Sequence, residues 1–155
     1  MLIKITLFIT LVCYAFVVGQ SFFYMLALSG ASKKMQAPAY IETRQLIDRE
    51  LQQSLSLVYY ITLGTLLLLT AFSVVNPSGL LFISSVIALI ALLVDVILAL
   101  KGNVPLNKVI NGWTVSNYPS NWKQYRSRWF NFYHIRQTAN IAGFIMLLAA
   151  LVFGL

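Results

Sequence analysis

Acidic side chains are scarce in this 155-residue chain: only Glu42, Asp48, Glu50 and Asp95 are present. There is one cysteine, Cys13, and one histidine, His134. A lone cysteine excludes a disulfide within the chain and any cysteine metal cluster. A lone histidine is not by itself a metal site, which needs two or three further ligands, and no metal is expected. No phosphate-cradling glycine loop, nucleophile elbow or zinc-protease helix is present in the sequence.

Charge as a whole is thin, at 10% of residues against 59% hydrophobic. Soluble domains carry roughly 25% charged residues, so a water-facing surface cannot be assembled from this composition. The gaps in the charge are more telling. No Asp, Glu, Lys or Arg lies between Lys4 and Lys33, between Glu50 and Asp95, or after Arg136. About 20 helical residues cross a hydrocarbon core of ~30 Å, so these runs predict membrane spans at about 2–29, 55–75, 80–100 and 135–155. The length suits one domain, residues 1–155. The first run is longer than the ~7–15-residue core of a signal peptide and is read as a span. The expected fold is all-α: a four-helix transmembrane bundle with an amphipathic or interfacial helix in each long loop.

A net charge of +7 raises the question of nucleic acid. Ten of the eleven Lys and Arg lie in or beside the two long loops, flanking apolar runs, where they bias insertion and meet anionic headgroups. The expected partner is therefore a lipid bilayer and not nucleic acid. The positive-inside rule places loops 30–54 and 101–134 in the cytoplasm and both termini outside, in what reads as a bacterial cytoplasmic membrane.

In the first loop, Pro38 precedes a helical pattern over residues 39–53, with Tyr40, Ile47 and Leu51 in phase and Arg44 spaced to pair with Asp48. It reads as a surface helix or an extension of the second span, with Glu42, Asp48 and Glu50 solvated. Gly19, Gln20 and Ser21 mark a side of the first span that meets other helices. Asn76-Pro77-Ser78-Gly79 reads as a tight turn between antiparallel spans. Gly102-Asn103-Val104-Pro105-Leu106-Asn107 reads as the end of the third span, with the amides capping freed backbone groups. Pro119-Ser120-Asn121 reads as a helix start with a side-chain cap, leading into the fourth span.

Few residues remain for chemistry. Asp95 is the one acid inside a span. It needs a partner, Arg126 or Arg136, or else serves as a proton or substrate group. His134 can exchange protons near neutrality, or can simply anchor the fourth span. Trp113, Trp122 and Trp129 form either an interfacial belt or the walls of a pocket for a flat apolar ligand.

The ordered set Asn103-Val104-Pro105-Leu106-Asn107, Trp113, Trp122, Arg126, Trp129, His134 and Arg136 resembles the pattern of the anthrone oxygenase-like family of small four-span membrane proteins. The segment from Tyr40 to Tyr60 is similar to that family's first loop and second span. The resemblance implies a site at the cytoplasmic membrane edge that binds or oxidises a small hydrophobic, aromatic or quinone-like molecule, with no established cofactor. His134 would remove a proton, Arg126 or Arg136 would hold the developing oxyanion, and Asn103 or Asn107 would donate hydrogen bonds to it. Trp122 and Trp129 would stack on the rings. Asp95, Asn103, Asn107, Trp113, Trp122 and Trp129 form the expected pocket, with no metal and no cofactor. The competing expectation is a non-catalytic membrane partner, an oligomer or assembly subunit; a proton path through Asp95 is a third.

Overall fold

The computed structural model describes residues 1–154, and the side chains of all of these except residues 52–54. It is helical almost throughout. Helix α1 (Leu2–Phe23) passes through a π-helical turn (Tyr24–Leu28) into α2 (Ser29–Lys34). Helix α3 spans Ala37–Ser73, and α4 (Leu80–Leu98) passes through a second π-helical turn (Ala99–Asn103) into α5 (Val104–Asn111). Helix α6 spans Trp122–Phe153.

Four stretches are long and apolar enough to cross a membrane: Leu2–Lys34, Leu55–Ser73, Leu80–Asn111 and Trp122–Phe153. They close a ring in which α1 touches α3 and α6, and α4 touches α3 and α6. The chain is thus an all-α four-helix bundle. Its outer surface carries large apolar side chains such as Phe8, Phe16, Leu67, Ile90, Ile145 and Val152. So much contiguous apolar surface is unfavourable in water and is what a lipid surround accommodates.

The core explains the ring. Leu7, Tyr14, Leu66, Leu69, Leu92 and Leu147 are fully or almost fully buried. Alpha4 and α6, the most extensively packed pair, approach through small residues. A Cβ on Gly143 would lie 2.9 Å from the Tyr14 hydroxyl and 3.0 Å from the Ala91 Cβ. Without a hydrophobic drive between helices in lipid, such close backbone approach supplies the attraction.

Several local expectations are corrected. Gly102 to Asn107 does not end the third helix. The helix continues through the region by way of the π turn, with Pro105 directly after it in the first residues of α5. Of the two readings of the stretch after Pro38, the extension of the second span holds: it is the first half of α3, with no break before that span. Asn121 does precede α6, but its side chain makes no cap bond. Gly19 faces outward, while its neighbour Ser21 is buried against Gln137. Asn76 to Gly79 forms the expected turn, closed by the Gly79 N–H on the Asn76 carbonyl at 3.0 Å.

Candidate functional site

Most of the charged side chains gather at one end of the bundle, the end bearing the two long loops. There the bundle encloses a cavity of about 480 Å³. Tyr24 and Gln20 reach it from α1 and its π turn, and Arg44, Asp48 and Tyr59 from α3. Asn103, Asn107 and Asn111 reach it from the second π turn and α5, and Trp129, Tyr133 and Arg136 from α6.

The π turn in the third helix makes this convergence possible. Asn103, Asn107 and Asn111 are spaced by four, so they share one face of the helix. A π turn inserts an extra residue and rotates everything after it, a device frequent at functional sites. Close packing holds the turn: a Cβ on Gly102 would lie 2.5 Å from Cγ of Phe132. The other π turn, Tyr24–Leu28, begins on a residue of the same cavity.

Asn107 is the hub of the upper wall. Its Oδ1 accepts from the Trp129 indole N–H at 2.7 Å and from Arg44 at 3.1 Å, and its Nδ2 donates to Asp48 at 2.6 Å. Asn111 donates to the other Asp48 oxygen at 2.8 Å. Arg44 pairs with Asp48 at 3.4 Å, as its i,i+4 spacing predicts, and its guanidinium lies 4.1 Å from the Trp129 ring centre. Arg44 also donates to the Tyr24 hydroxyl at 3.3 Å, while its Nε is buried without a partner among the described residues. Asp48 is therefore not a solvated loop acid but the acceptor that orients three side chains.

The floor is ionic. Asp95 is fully buried, paired with Arg136 and bonded by the Tyr59 hydroxyl. Arg136 also donates to Asn103 Oδ1 at 2.8 Å, and Asn103 donates to the Trp129 carbonyl at 2.9 Å. A carboxylate in hydrocarbon is tolerated when paired and hydrogen-bonded in this way. Of the two arginines considered for it, Arg136 is the partner. Between floor and upper wall, Trp129 and Tyr133 stack with centroids 5.0 Å apart, Tyr24 lies 4.8 Å from Tyr133, and Gln20 donates to the Tyr133 hydroxyl at 2.9 Å.

The expected site residues divide sharply. Asn103, Asn107, Trp129 and Arg136 line the cavity, and Asp95 lies behind Arg136. Trp113, Trp122 and Arg126 lie elsewhere, in a cluster with Tyr40 where α3 meets the loop before α6. Arg126 donates to the carbonyls of Ser32 and Met35, at 2.8 and 3.4 Å, so it caps the end of α2. Its guanidinium lies 4.8 Å from the Trp122 ring centre. In this cluster burial pushes the Tyr40 hydroxyl up to about 12, against the opposing pull of Arg44 and Arg126. His134 is half-buried, stands beside Phe130 at 6.0 Å and is not on the cavity wall.

Sequence reasoning missed Tyr24, Tyr59, Tyr133, Arg44 and Asp48 as members of one site. A signal for Arg44 and Asp48 was available. Their i,i+4 spacing put both on one side of a helix whose other residues in phase, Tyr40, Ile47 and Leu51, were apolar. Among the described residues, no three His, Cys, Asp or Glu come together to hold a metal ion.

Fold and site together define a small four-helix bundle with membrane-compatible exterior and a polar, aromatic-walled cavity at one end. The chain matches no family model, no curated protein and no solved structure.

Proposed function

We propose that this chain is an integral membrane protein of the anthrone oxygenase-like family, with its long loops in the cytoplasm, that binds a small hydrophobic molecule with a planar, oxygen-bearing ring. One observation carries this reading: the cavity of about 480 Å³ combines the stacked rings of Trp129 and Tyr133 with the guanidinium groups of Arg44 and Arg136. Ligand sites are concave and mostly apolar, with a few placed polar groups that fix orientation, and this cavity has that make-up. The apolar and aromatic lining suits a flat ring, and the arginines suit its carbonyl or phenolate oxygens. The motif residues Asn103, Asn107, Trp129 and Arg136 all contribute to it.

Binding is the half of the reading that the geometry supports. Oxidation of an anthrone needs a base beside the ring carbon, and His134 is off the cavity wall. Arg126 is likewise committed to α2. Anthraquinone titrated into detergent-solubilised protein carrying Trp113→Phe and Trp122→Phe should quench the emission of Trp129. Arg44→Gln should weaken that binding by roughly tenfold, the equivalent of one charge-assisted hydrogen bond. Emission that stays unchanged up to the solubility limit of the quinone would rule out the binding reading. Oxygen uptake with an anthrone present, measured in the parent protein and in His134→Ala, tests the oxidising half separately.

A further inference from the structure

The cavity is a slot, and it does not open only toward the loops. Along α3 its wall runs from Arg44 to Tyr60. That is ~24 Å at 1.5 Å per residue. On the facing helix the wall runs from Asn111 back through the π turn to Val96, a similar length.

Polarity changes along this length. At the loop end stand Arg44, Asp48, Asn107, Lys108 and Asn111. At the far end stand Leu55, Tyr60, Val96, Ala99 and Leu100, all within the stretches apolar enough to cross a membrane. Tyr60 is 73% exposed and Leu100 61% exposed on the outer surface of the bundle, yet both also line the slot. A side chain that does both stands at the rim of an opening. The rim lies between α3 and the α4 end of the facing helix, and it faces lipid and not water. Beneath it the Asp95–Arg136 pair and Tyr59 close the slot.

Charge is also uneven. The wall carries Arg44, Lys108 and Arg136 against Asp48 alone, and Arg136 is neutralised by Asp95. With Arg44 paired to Asp48, the positive charge left over is that of the exposed Lys108, and the Arg44 Nε is buried with no partner among the described residues. A group of acceptor oxygens complements that end. A rigid, water-borne ring would have no use for an apolar side exit of this length.

We propose that the ligand is a tailed amphiphile drawn from the bilayer: an oxygen-rich ring held at Arg44, Asn107 and Trp129, with a hydrocarbon tail that leaves between α3 and α4 past Leu55, Val96 and Ala99 into the lipid. This rests on the binding reading above and adds the class of ligand and its route. A prenylated or alkylated quinone has this chemistry.

The test uses the protein with Trp113→Phe and Trp122→Phe in phosphatidylcholine nanodiscs. Trp129 quenching is read with decylubiquinone and with the same dimethoxy-methyl-benzoquinone head lacking a tail, each plotted against its mole fraction in the lipid. Val96→Phe narrows the exit from one wall and Leu55→Phe from the other, so either variant answers if its companion fails to fold. Each should weaken decylubiquinone by about tenfold or more, the cost of displacing the head from one charge-assisted hydrogen bond, and leave the tailless head within about twofold. Equal weakening of both probes, or of neither, overturns the tail route. No quenching of the parent by either probe overturns the binding reading itself, and the route with it.

Discussion

At the turn end of the bundle, Leu7, Leu66, Leu69, Leu81, Leu147 and Ala150 fill the interior. The polar atoms there bond mainly to their own helices: Ser73 donates to the Thr70 carbonyl and Ser85 to the Phe82 carbonyl, with only a 3.3 Å contact between the two hydroxyls. At the loop end the same four helices are joined by Asp95, Arg136, Asn103, Asn107, Asp48 and Arg44, each bonded to another element. Both ends are tightly buried, but only one is selective. Apolar packing holds helices together and tolerates exchange of one hydrocarbon side chain for another of similar volume. A connected polar network fixes positions and is disrupted when any member is lost.

Substitutions can break this contrast. The largest effect is expected from Asp95→Ala, which leaves Arg136 buried without its counter-charge and should cost about 3–5 kcal/mol. Unfolding in detergent, followed by circular dichroism, measures it. Replacing both Asp95 and Arg136 by Leu should recover most of that loss, because the pair itself contributes little net stability. If the double variant is as unstable as the single one, the loop end depends on this pair for more than charge balance.

Next comes Gly102→Ala. Its methyl group would overlap the Phe132 ring at the Cγ end, which cannot swing aside, and should destabilise by about 1–3 kcal/mol. Phe132→Leu in the same chain should return part of it, read by the same unfolding curve.

Tyr40 sharpens the contrast by pH. Its hydroxyl is held at about 12, above the ordinary 10.0, so the folded state keeps its proton more tightly than the unfolded chain. That stabilisation is complete below about pH 10 and is lost as pH rises through the folded value. By about pH 11 the loss should reach ~1.4 kcal/mol, one tenfold factor. Tyr40→Phe should remove this part of the pH dependence and cost little at neutrality, since the hydroxyl has no partner among the described residues. The smallest effect is expected at the turn end: Ser85→Ala should change stability by less than about 1 kcal/mol, because its main bond is to its own helix.

The sequence reveals the two ends unequally. The spans are visible because lipid imposes a simple condition, about 20 residues without charge, and three charge-free runs with one tight turn meet it. The all-α bundle follows from that condition. The partner of Asp95 is nearly visible too, since only Arg126 and Arg136 stood within reach. The site is harder because convergence depends on rotation about helix axes. Gly102 and Pro105 look like a stop, yet a π turn carries the helix through them and aims Asn103, Asn107 and Asn111 inward. Trp113, Trp122 and Trp129 are alike in composition, but the short loop between α5 and α6 sends the first two to Tyr40 and only the third to the cavity. Arg44 and Asp48 look like surface charges until α3 is known to run unbroken from Ala37 to Ser73.

The π turn at Ala99–Asn103 has a genetic consequence. Deleting Lys101, whose side chain is exposed, would let α4 and α5 fuse into one regular helix. The turn holds one residue more than an α-helical turn would, so losing that residue and the turn together leaves the three asparagines in the phase they have now, facing Trp129 and Arg44. Everything upstream would keep its place. A codon lost at the turn is therefore absorbed, whereas one lost within the regular helix of α5 would turn Asn111 by about 100° away from Asp48.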